Sequence, residues 1–489
     1  MKKISILRFL LIALFINMCM AMSAETIGDF EVTLDYDNKT AELLKYNGSA
    51  TELAIPSSVT LEGVAYSVTS IGESCFYQCE SIKSISIPES VKSIGTWCFG
   101  NCSALESIAI PESVTTLEAS CFLFCTALKS ITIPGSVTRL GEYCFGNCSS
   151  LESITIPESV TTLEASCFDC CSALQSITIP KSVTSIGNGC FVGCSALEKM
   201  TVAPGNSVYD SRENCNAIIK TATNEMISGC KTTVIPSTVT SLGFACFSRS
   251  SLETINIPSS VTSLGPWCFE YCDNLKSITL PSSVTTLGNS AFAGAGIQQI
   301  SIPESVTSIG ARCFQGCYSL LSVTIPSSLT SLAGGTFSDC TSLLTINIPE
   351  SVTSIGPWCF QGCSSLASII ILKSVTSLGD DCFAYCYEIS EVTCKIATPI
   401  SGNFFSDVPI NQATLKVPET SLEAYRTTEP WSGFGTIEAF STSGINNNYI
   451  NREVTIDAVY DLDGKISSTT SRGIKIVRMS DGTTRKVKR

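Results

Sequence analysis

The sequence predicts a repeat solenoid of about 13 units of 23 residues, followed by a small all-β module. The first observation is a phenylalanine that recurs in steps of 23 residues, apart from two steps of 22 and one of 56. The recurring residues are Phe76, Phe99, Phe122, Phe145, Phe168, Phe191, Phe247, Phe269, Phe292, Phe314, Phe337, Phe360 and Phe383. A fixed period of about 20–50 residues is typical of stacked repeats, each of which contacts only its neighbours. We therefore expect one long domain.

Each unit combines the pattern of a short strand with that of a short helical turn. In the unit 107–129, Ile108 and Ile110 point to one face, as the period of two in a β-strand requires, and the proline that follows ends the hydrogen-bonded ladder. An arc of polar and apolar residues leads to Cys121-Phe-x-x-Cys125-x-x-Leu128, whose apolar spacing fits one face of a helix. The units therefore predict short parallel strands joined by arcs and short helical turns.

These repeated motifs, Ile-x-Ile-Pro, Ser-Val-Thr-Ser-Ile-Gly and Cys-Phe-x-x-Cys, resemble the BspA-like branch of the leucine-rich repeat superfamily over roughly residues 50–440. The resemblance implies a secreted or cell-surface protein for adhesion or recognition. Such a protein binds host proteins, other microbes or glycans through the solenoid face. The alternative is a structural envelope protein that binds nothing, because the repeats are near copies of one another and no single site stands out.

The N-terminus predicts export. Lys2, Lys3 and Arg8 precede an apolar run that is too short to span a bilayer, and small residues follow, so residues 1–24 fit a secretory signal peptide. A lipoprotein attached through Cys19 is the weaker alternative, because Ile16-Asn17-Met18 is a poor lipobox. No later stretch is apolar enough to cross a membrane. We expect the protein at the cell surface, on the outer membrane or secreted.

Charge and composition exclude several function classes. The formal net charge is −13, which repels phosphate backbones and disfavours nucleic acid as a partner. The chain has no histidine, so the usual hydrolase triads and the commonest metal ligand are absent. No phosphate-binding glycine loop or metal motif occurs either. We predict that the protein is not an enzyme and needs no cofactor or metal.

The 27 cysteines of an exported chain suggest disulfides, but their pattern favours buried free thiols. Ala291 and Ala295 replace both cysteines of one repeat, Ser250 replaces only the second of another, and Thr336 only the first of a third. Obligate pairs within a repeat would be lost together. Bridges between neighbouring repeats stay open as an alternative, because adjacent strands are about 5 Å apart.

The chain divides into six parts. Residues 25–50 predict an N-terminal β cap, residues 51–394 the repeats, 395–440 a C-terminal cap with a helix and an aromatic core, and 441–451 a polar linker. Residues 203–232 interrupt the repeats as a hairpin insertion in which Cys215 and Cys230 lie opposite each other, and these are the candidates for a disulfide.

The last part, residues 452–489, predicts a β module with nine basic and five acidic residues. Its strands and basic end resemble the C-terminal sorting domain of type IX secretion, which implies contact with the secretion machinery. A β module without an export role is the alternative.

The candidate binding face is the outward position between the two strand isoleucines of each repeat. It carries mostly hydroxyl and amide side chains, among them Thr132, Thr155, Thr178, Asn256, Thr279, Ser301, Thr324 and Asn347. One interpretation is simple β propensity, and the other is an extended polar surface for an extracellular protein or glycan. Aromatic residues beside the cysteines, such as Trp267 and Tyr271, are scattered over distant repeats, which favours packing or incidental exposure.

Overall fold

The computed structural model describes residues 24–440 and three later strands, Ile456–Asp461, Ile474–Met479 and Thr484–Lys488. Residues 24–440 form a β-solenoid with little helix, which confirms the predicted fold class. The chain separates into two compact units, one made of residues up to 197 with 202–208, the other of residues 198–201 with those from 209 onward. The predicted linker and residues 1–23 of the predicted signal peptide lie outside the described residues.

The solenoid contains two series of short strands. The Ile-x-Ile segments form Glu52–Ala54, Ser84–Ser86, Ser107–Ala109, Ser130–Thr132, Ser153–Thr155, Ser176–Ile179, Lys199–Val202, Gln299–Ser301, Ser322–Thr324, Ser368–Ile371 and Glu391–Cys394. The arcs form Ser93–Ile94, Thr116–Leu117, Arg139–Leu140, Thr162–Leu163, Ser185–Ile186, Ser241–Leu242, Ser263–Leu264, Thr286–Leu287, Ser308–Ile309, Ser331–Leu332, Ser354–Ile355 and Ser377–Leu378. Equivalent residues pair in parallel register, as Leu117 does with Leu140 and Ile131 with Ile154.

A stack of phenylalanine rings runs through the core of each unit. Successive rings from Phe76 to Phe191 have centroids 5.3–5.5 Å apart and lie within 15° of parallel. In the second unit the stack runs from Phe247 to Phe383 and continues to Phe405, whose ring lies 5.5 Å from that of Phe383. Because each ring packs between the rings of two neighbouring repeats, no repeat completes its own core.

The Cys-Phe-x-x-Cys segment forms hydrogen-bonded turns, and the short helix that its spacing predicts is not present. Two positions of each turn have positive φ, as Tyr143 (53°) and Asn147 (56°) show in one repeat. The turn also directs backbone amides outward along the stack, so that Phe145 N–H donates to the carbonyl of Cys167 in the next repeat, at 2.8 Å. In an α-helix these amides would donate to carbonyls of the same segment. Because they donate to the next repeat instead, the segment does not form a helix.

The second cysteine of the motif connects adjacent repeats through its thiol. Cys148 Sγ donates to the carbonyl oxygen of Phe122 at 3.2 Å, and the N–H of Cys125 donates to that same oxygen at 3.1 Å. Ten repeats make this thiol contact, through Cys102, Cys125, Cys148, Cys171, Cys194, Cys272, Cys317, Cys340, Cys363 and Cys386. These cysteines are free thiols and buried. They pack as small apolar residues that also satisfy a buried carbonyl.

Caps cover the ends of the stacks. At the N-terminus, Glu25–Ile27, Phe30–Asp35 and Thr40–Tyr46 form an antiparallel sheet, which Ser58–Leu61 and Val64–Ile71 extend. At the C-terminus, 3-10 helices Ile410–Gln412, Glu419–Ser421 and Trp431–Gly433 and the α-helix Leu422–Thr427 surround the strands Thr414–Pro418 and Thr436–Phe440. Trp431 is fully buried there and donates its Nε1–H to the carbonyl of Ile400, at 2.7 Å, so it is a core residue as predicted.

The insertion forms a second cap at the start of the second unit. Tyr209–Asp210, Ala217–Lys220 and Glu225–Gly229 form an antiparallel sheet that continues in parallel into Ser241–Leu242, with the 3-10 helix Arg212–Asn214 between the first two strands. Its contacts repeat those of the N-terminal hairpin. Gly243 N–H donates to Met226 and Gly229 N–H to Cys246, just as Gly72 donates to Leu43 and Tyr46 to Cys75. Each unit therefore begins with a hairpin that replaces a missing neighbour.

The three C-terminal strands form one antiparallel sheet, with Ile456–Asp461 and Thr484–Lys488 on either side of Ile474–Met479. Among the residues that the structure describes, no helix combines the length and apolarity needed to span a membrane.

Replacing Phe269 by alanine should destabilise the protein by about 3–5 kcal/mol, because the ring is fully buried between those of Phe247 and Phe292. Urea unfolding followed by circular dichroism measures the change. Phe124→Ala is the matched control, since this ring is 41% exposed and its loss should cost less than about 1 kcal/mol. Equal effects of the two substitutions would contradict the stacked core.

The buried thiols of the Cys-Phe-x-x-Cys motifs should resist alkylation in the folded protein. Burial raises the pKa of Cys125, Cys272 and Cys386 to about 12. At pH 8, iodoacetamide followed by mass spectrometry should therefore modify at most the half-buried Cys79 and Cys170.

Unfolding in urea without reductant should expose the remaining thiols to the reagent, and a reduced, unfolded sample defines full labelling. Cysteines that stay unmodified in the unreduced, unfolded protein would show that disulfides have formed.

Candidate functional site

The strand face of the solenoid carries the candidate residues that the sequence predicts. All eight, Thr132, Thr155, Thr178, Asn256, Thr279, Ser301, Thr324 and Asn347, are exposed. The first three lie in the first unit and the other five in the second. Thr132 pairs with Thr155, and Ser301 pairs with Thr324, which bridges to Asn347. The structure thus places these side chains in columns with a strand spacing of about 4.8 Å.

A second outward column lies two residues before the first and was not singled out in the sequence. In the strand Ser153–Thr155, both ends are exposed and Ile154 between them is buried. The equivalent residues Ser84, Ser107, Ser130 and Ser176 belong to the same column. The regular Ser-Ile-Thr triplet of the sequence indicates this column. Successive side chains of a strand point to opposite faces, so the serine and the threonine lie on the same side. The face therefore presents a two-column array of hydrogen-bonding groups.

Two large apolar side chains interrupt the polarity of this face. Val234 is 71% exposed and Ile370 is 47% exposed, each at the place that threonine, serine or asparagine takes in most other repeats. Ile370 lies beside Thr393, after which the column continues through Lys416 and Glu438. Lys416 forms ion pairs with Glu391 at 2.8 Å and Glu438 at 3.9 Å. The face thus changes from hydroxyl groups to charges near the C-terminal cap.

The two candidate disulfide cysteines of the insertion take part in separate hydrogen bonds. Cys215 and Cys230 are free thiols, and each donates to a different carbonyl: Cys215 Sγ to that of Ala217 at 3.8 Å and Cys230 Sγ to that of Asn216 at 3.3 Å. The hairpin pairs Ala217 with Gly229, so the two cysteines lie beyond its last paired residues and are not held opposite each other.

Polar residues of the insertion are used to hold its turns together. Arg212 donates to both carboxylate oxygens of Asp210 and to the side-chain oxygen of Asn224, at 2.8 Å. Partial burial raises the pKa of Asp210, but hydrogen bonds from Arg212 and Thr221 outweigh it and leave the pKa below its usual value. The contacts of this network are internal, which is the structural role that turn residues usually have.

The turns of the Cys-Phe-x-x-Cys motif carry a row of exposed aromatic side chains, which we call the aromatic edge. It consists of Tyr77, Phe124 and Tyr143 in the first unit and Phe244, Tyr271, Tyr318, Trp358, Tyr385 and Tyr387 in the second, with the half-buried Trp97 and Trp267 beside them. Without the two half-buried tryptophans, the aromatic edge holds nine of the 13 exposed large apolar side chains among the described residues. The sequence favoured incidental exposure for this kind of residue, because the positions are scattered over distant repeats. In the structure some of them contact each other across neighbouring repeats, as Tyr77 contacts Trp97 and Phe244 contacts Trp267.

The densest part of the aromatic edge lies in the second unit between residues 244 and 271. The rings of Phe244 and Trp267 have centroids 4.9 Å apart, and the guanidinium of Arg249 lies 5.2 Å from the ring centre of Tyr271. The carboxylate of Glu270 accepts a hydrogen bond from Ser248 at 3.1 Å, and partial burial raises its pKa. Three aromatic rings, an exposed guanidinium and a half-buried carboxylate therefore lie on the same two neighbouring turns.

Nothing in the described part of the chain resembles a metal site, since no group of three or more cysteine, aspartate or glutamate side chains is placed to hold an ion.

The chain is similar to leucine-rich repeat proteins of known structure. A leucine-rich repeat protein from Bacteroides ovatus is 25% identical, with 85% of this chain and 99% of that chain covered and a TM-score of 0.46. A leucine-rich cell surface protein from Faecalibacterium prausnitzii is 24% identical, covering 88% and 97% of the respective chains at a TM-score of 0.44. The comparison with curated proteins gives no match.

A family model described as a BspA type leucine rich repeat region (6 copies) matches residues 49–149, 123–227, 212–321 and 307–426. These stretches overlap and together cover more than half of the chain, and they indicate no catalytic family. The chain therefore belongs to the BspA type leucine-rich repeat family.

Proposed function

We propose that this protein is exported and displayed at the cell surface, where its solenoid recognises an extracellular protein or glycan. The observation that carries the proposal is the two-column strand face, whose hydroxyl and amide side chains are exposed in repeat after repeat. The core needs none of these side chains, because the buried isoleucines of the same strands supply the packing. An extended surface of this kind is how solenoid proteins bind their partners.

The regular spacing of the face favours many weak contacts over one deep pocket. Neighbouring columns repeat every strand, so a ligand with its own repeat engages several units at once and gains affinity through effective concentration. Membership of a repeat family that is usually surface-exposed supports this assignment. The net charge of −13 argues against nucleic acid as the partner.

A structural envelope protein is the second candidate, and the near identity of the repeats favours it. Repeats that differ little offer no site with a distinctive set of side chains. The two functions predict different results in a binding assay, because a passive coat protein has no saturable ligand.

The purified protein should bind one class of extracellular-matrix protein or glycan on an array, in a saturable way and at physiological salt. Thr155→Lys and Thr324→Lys should each be tested, and the substitution in the unit that holds the ligand should lower the affinity at least tenfold, or by about 1.4 kcal/mol. Both threonines are exposed on the strand face, so the fold should tolerate the change.

Thr161→Lys and Thr330→Lys are the matched controls, because they place the same side chain on the exposed arcs of the same two repeats. Loss of binding in these controls, with binding kept in the strand-face variants, would place the ligand elsewhere. An array without any saturable signal would favour the structural role.

We also propose that residues 452–489 direct the protein to the cell surface through type IX secretion. The support is the resemblance of this segment to sorting domains, together with its three antiparallel strands and basic end. Deleting these residues should trap the protein inside the cell or mislocate it, as antibody labelling of intact cells would show. Unchanged labelling of the truncated protein would refute the sorting role, and deletion of the N-terminal hairpin 30–46 controls for misfolding.

A further inference from the structure

The aromatic edge exposes large rings that core packing does not require. Seven of its aromatic residues, including half-buried ones, have φ between 49° and 63°: Trp97, Phe124, Tyr143, Trp267, Tyr271, Trp358 and Tyr385. This left-handed region is unfavourable for any residue with a side chain, and a bulky residue there is an outlier. The repeat turn itself sets this backbone, because Ser74, Ala245 and Asp381 have the same positive φ at the equivalent position of their repeats.

Other repeats show that glycine fits the same two positions. Gly189 and Gly335 take the place of Trp267 in their repeats, and Gly294 and Gly316 take the place of Tyr271, with φ from 64° to 68°. The aromatic side chains therefore accept a backbone cost that glycine avoids. Tyr271 and Trp358 are also exposed, at 47% and 44%. Their burial therefore does not offset the free-energy cost of the positive φ.

The segment around Trp267 holds its rings in fixed positions. Trp267 is held against Phe244, with the two ring planes 59° apart. The ring of Tyr271 lies across Gly294, where a Cβ atom would come within 2.4 Å of it, so the glycine of the next repeat makes room for the ring. Arg249 N–H donates to the carbonyl of Glu270 at 2.7 Å and thereby ties the two turns together. The surface is therefore preorganised before any ligand arrives.

The chemistry of this surface selects among partner classes. The exposed rings of these turns, Phe244 and Tyr271, lie beside charged side chains. Arg249 is exposed and contacts the ring of Tyr271, and the half-buried Glu270 accepts a hydrogen bond from the buried Ser248. Flat rings stack on the C–H faces of sugar rings, while carboxylate and guanidinium groups bind hydroxyls. The acidic chain repels anionic ligands, which favours an uncharged sugar.

We propose that Phe244, Trp267 and Tyr271, with Arg249 and Glu270, form a binding site for neutral oligosaccharides on the second unit. This inference rests on the proposed recognition function and names its ligand class and its location, an edge distinct from the strand face. The aromatic rings provide the stacking platform, and the two charged side chains orient the sugar hydroxyls.

The test is a titration of the full-length protein with uncharged glucose, mannose and N-acetylglucosamine oligomers, followed by calorimetry and by tryptophan fluorescence. Sugar concentrations should reach about 10 mM, since stacking on a shallow surface gives weak affinity. At least one oligomer should bind. Trp267→Gly should weaken that binding at least tenfold while lowering the melting temperature only slightly, because relief of the positive φ offsets part of the packing lost against Phe244.

Ser166→Gly makes the same backbone change at the equivalent position of another repeat and should leave sugar binding unchanged. Phe244→Ala removes the neighbouring ring without a positive φ and should also weaken binding. If the protein binds a matrix protein on the array but none of the sugars, the oligosaccharide site is wrong and the recognition function stands. Sugar binding that survives both aromatic substitutions overturns the location, and silence towards sugars and proteins alike overturns both proposals.

Discussion

The structure depends on contacts between neighbouring repeats, because no repeat contains a complete core. The clearest of these contacts is the phenylalanine stack, in which each ring is covered by the rings before and after it. The backbone around the rings follows the same rule, since the N–H of Phe122 donates to Cys144 of the next repeat. The second hairpin, at 217–229, follows from this requirement, because the first repeat of the second unit needs a neighbour.

This constraint separates the residues that build the solenoid from those that are left for binding. The inward positions vary little, because each residue there must fit between two near copies of itself. They are the strand isoleucines and the phenylalanines and cysteines of the Cys-Phe-x-x-Cys motif. Outward positions have no such requirement. On the strand face they stay uniform, which suits a repetitive ligand, whereas on the aromatic edge they vary from glycine to tryptophan.

The sequence was sufficient for the fold class and for the inward residues, because a strict period reports directly on stacking. It missed Phe405, which extends the ring stack although its repeat has lost both cysteines of the motif. It also predicted helical turns, since apolar spacing cannot reveal that Tyr143 and Asn147 have positive φ or that the amides between them bond to the next repeat. For the same reason the aromatic edge was not recognised, because residues such as Tyr77 and Trp97 come into contact only after the repeats are stacked.

The central claim is that cross-repeat contacts around the phenylalanine rings hold each unit together. Native-state hydrogen exchange of the backbone amides, resolved residue by residue, measures this most directly. The amides of Phe122, Phe145, Phe269 and Phe314, which donate to the next repeat, should exchange among the slowest in the protein, with protection falling towards the ends of each stack. Fast exchange at these amides, with the slowest sites confined to the outer strands, would contradict the claim.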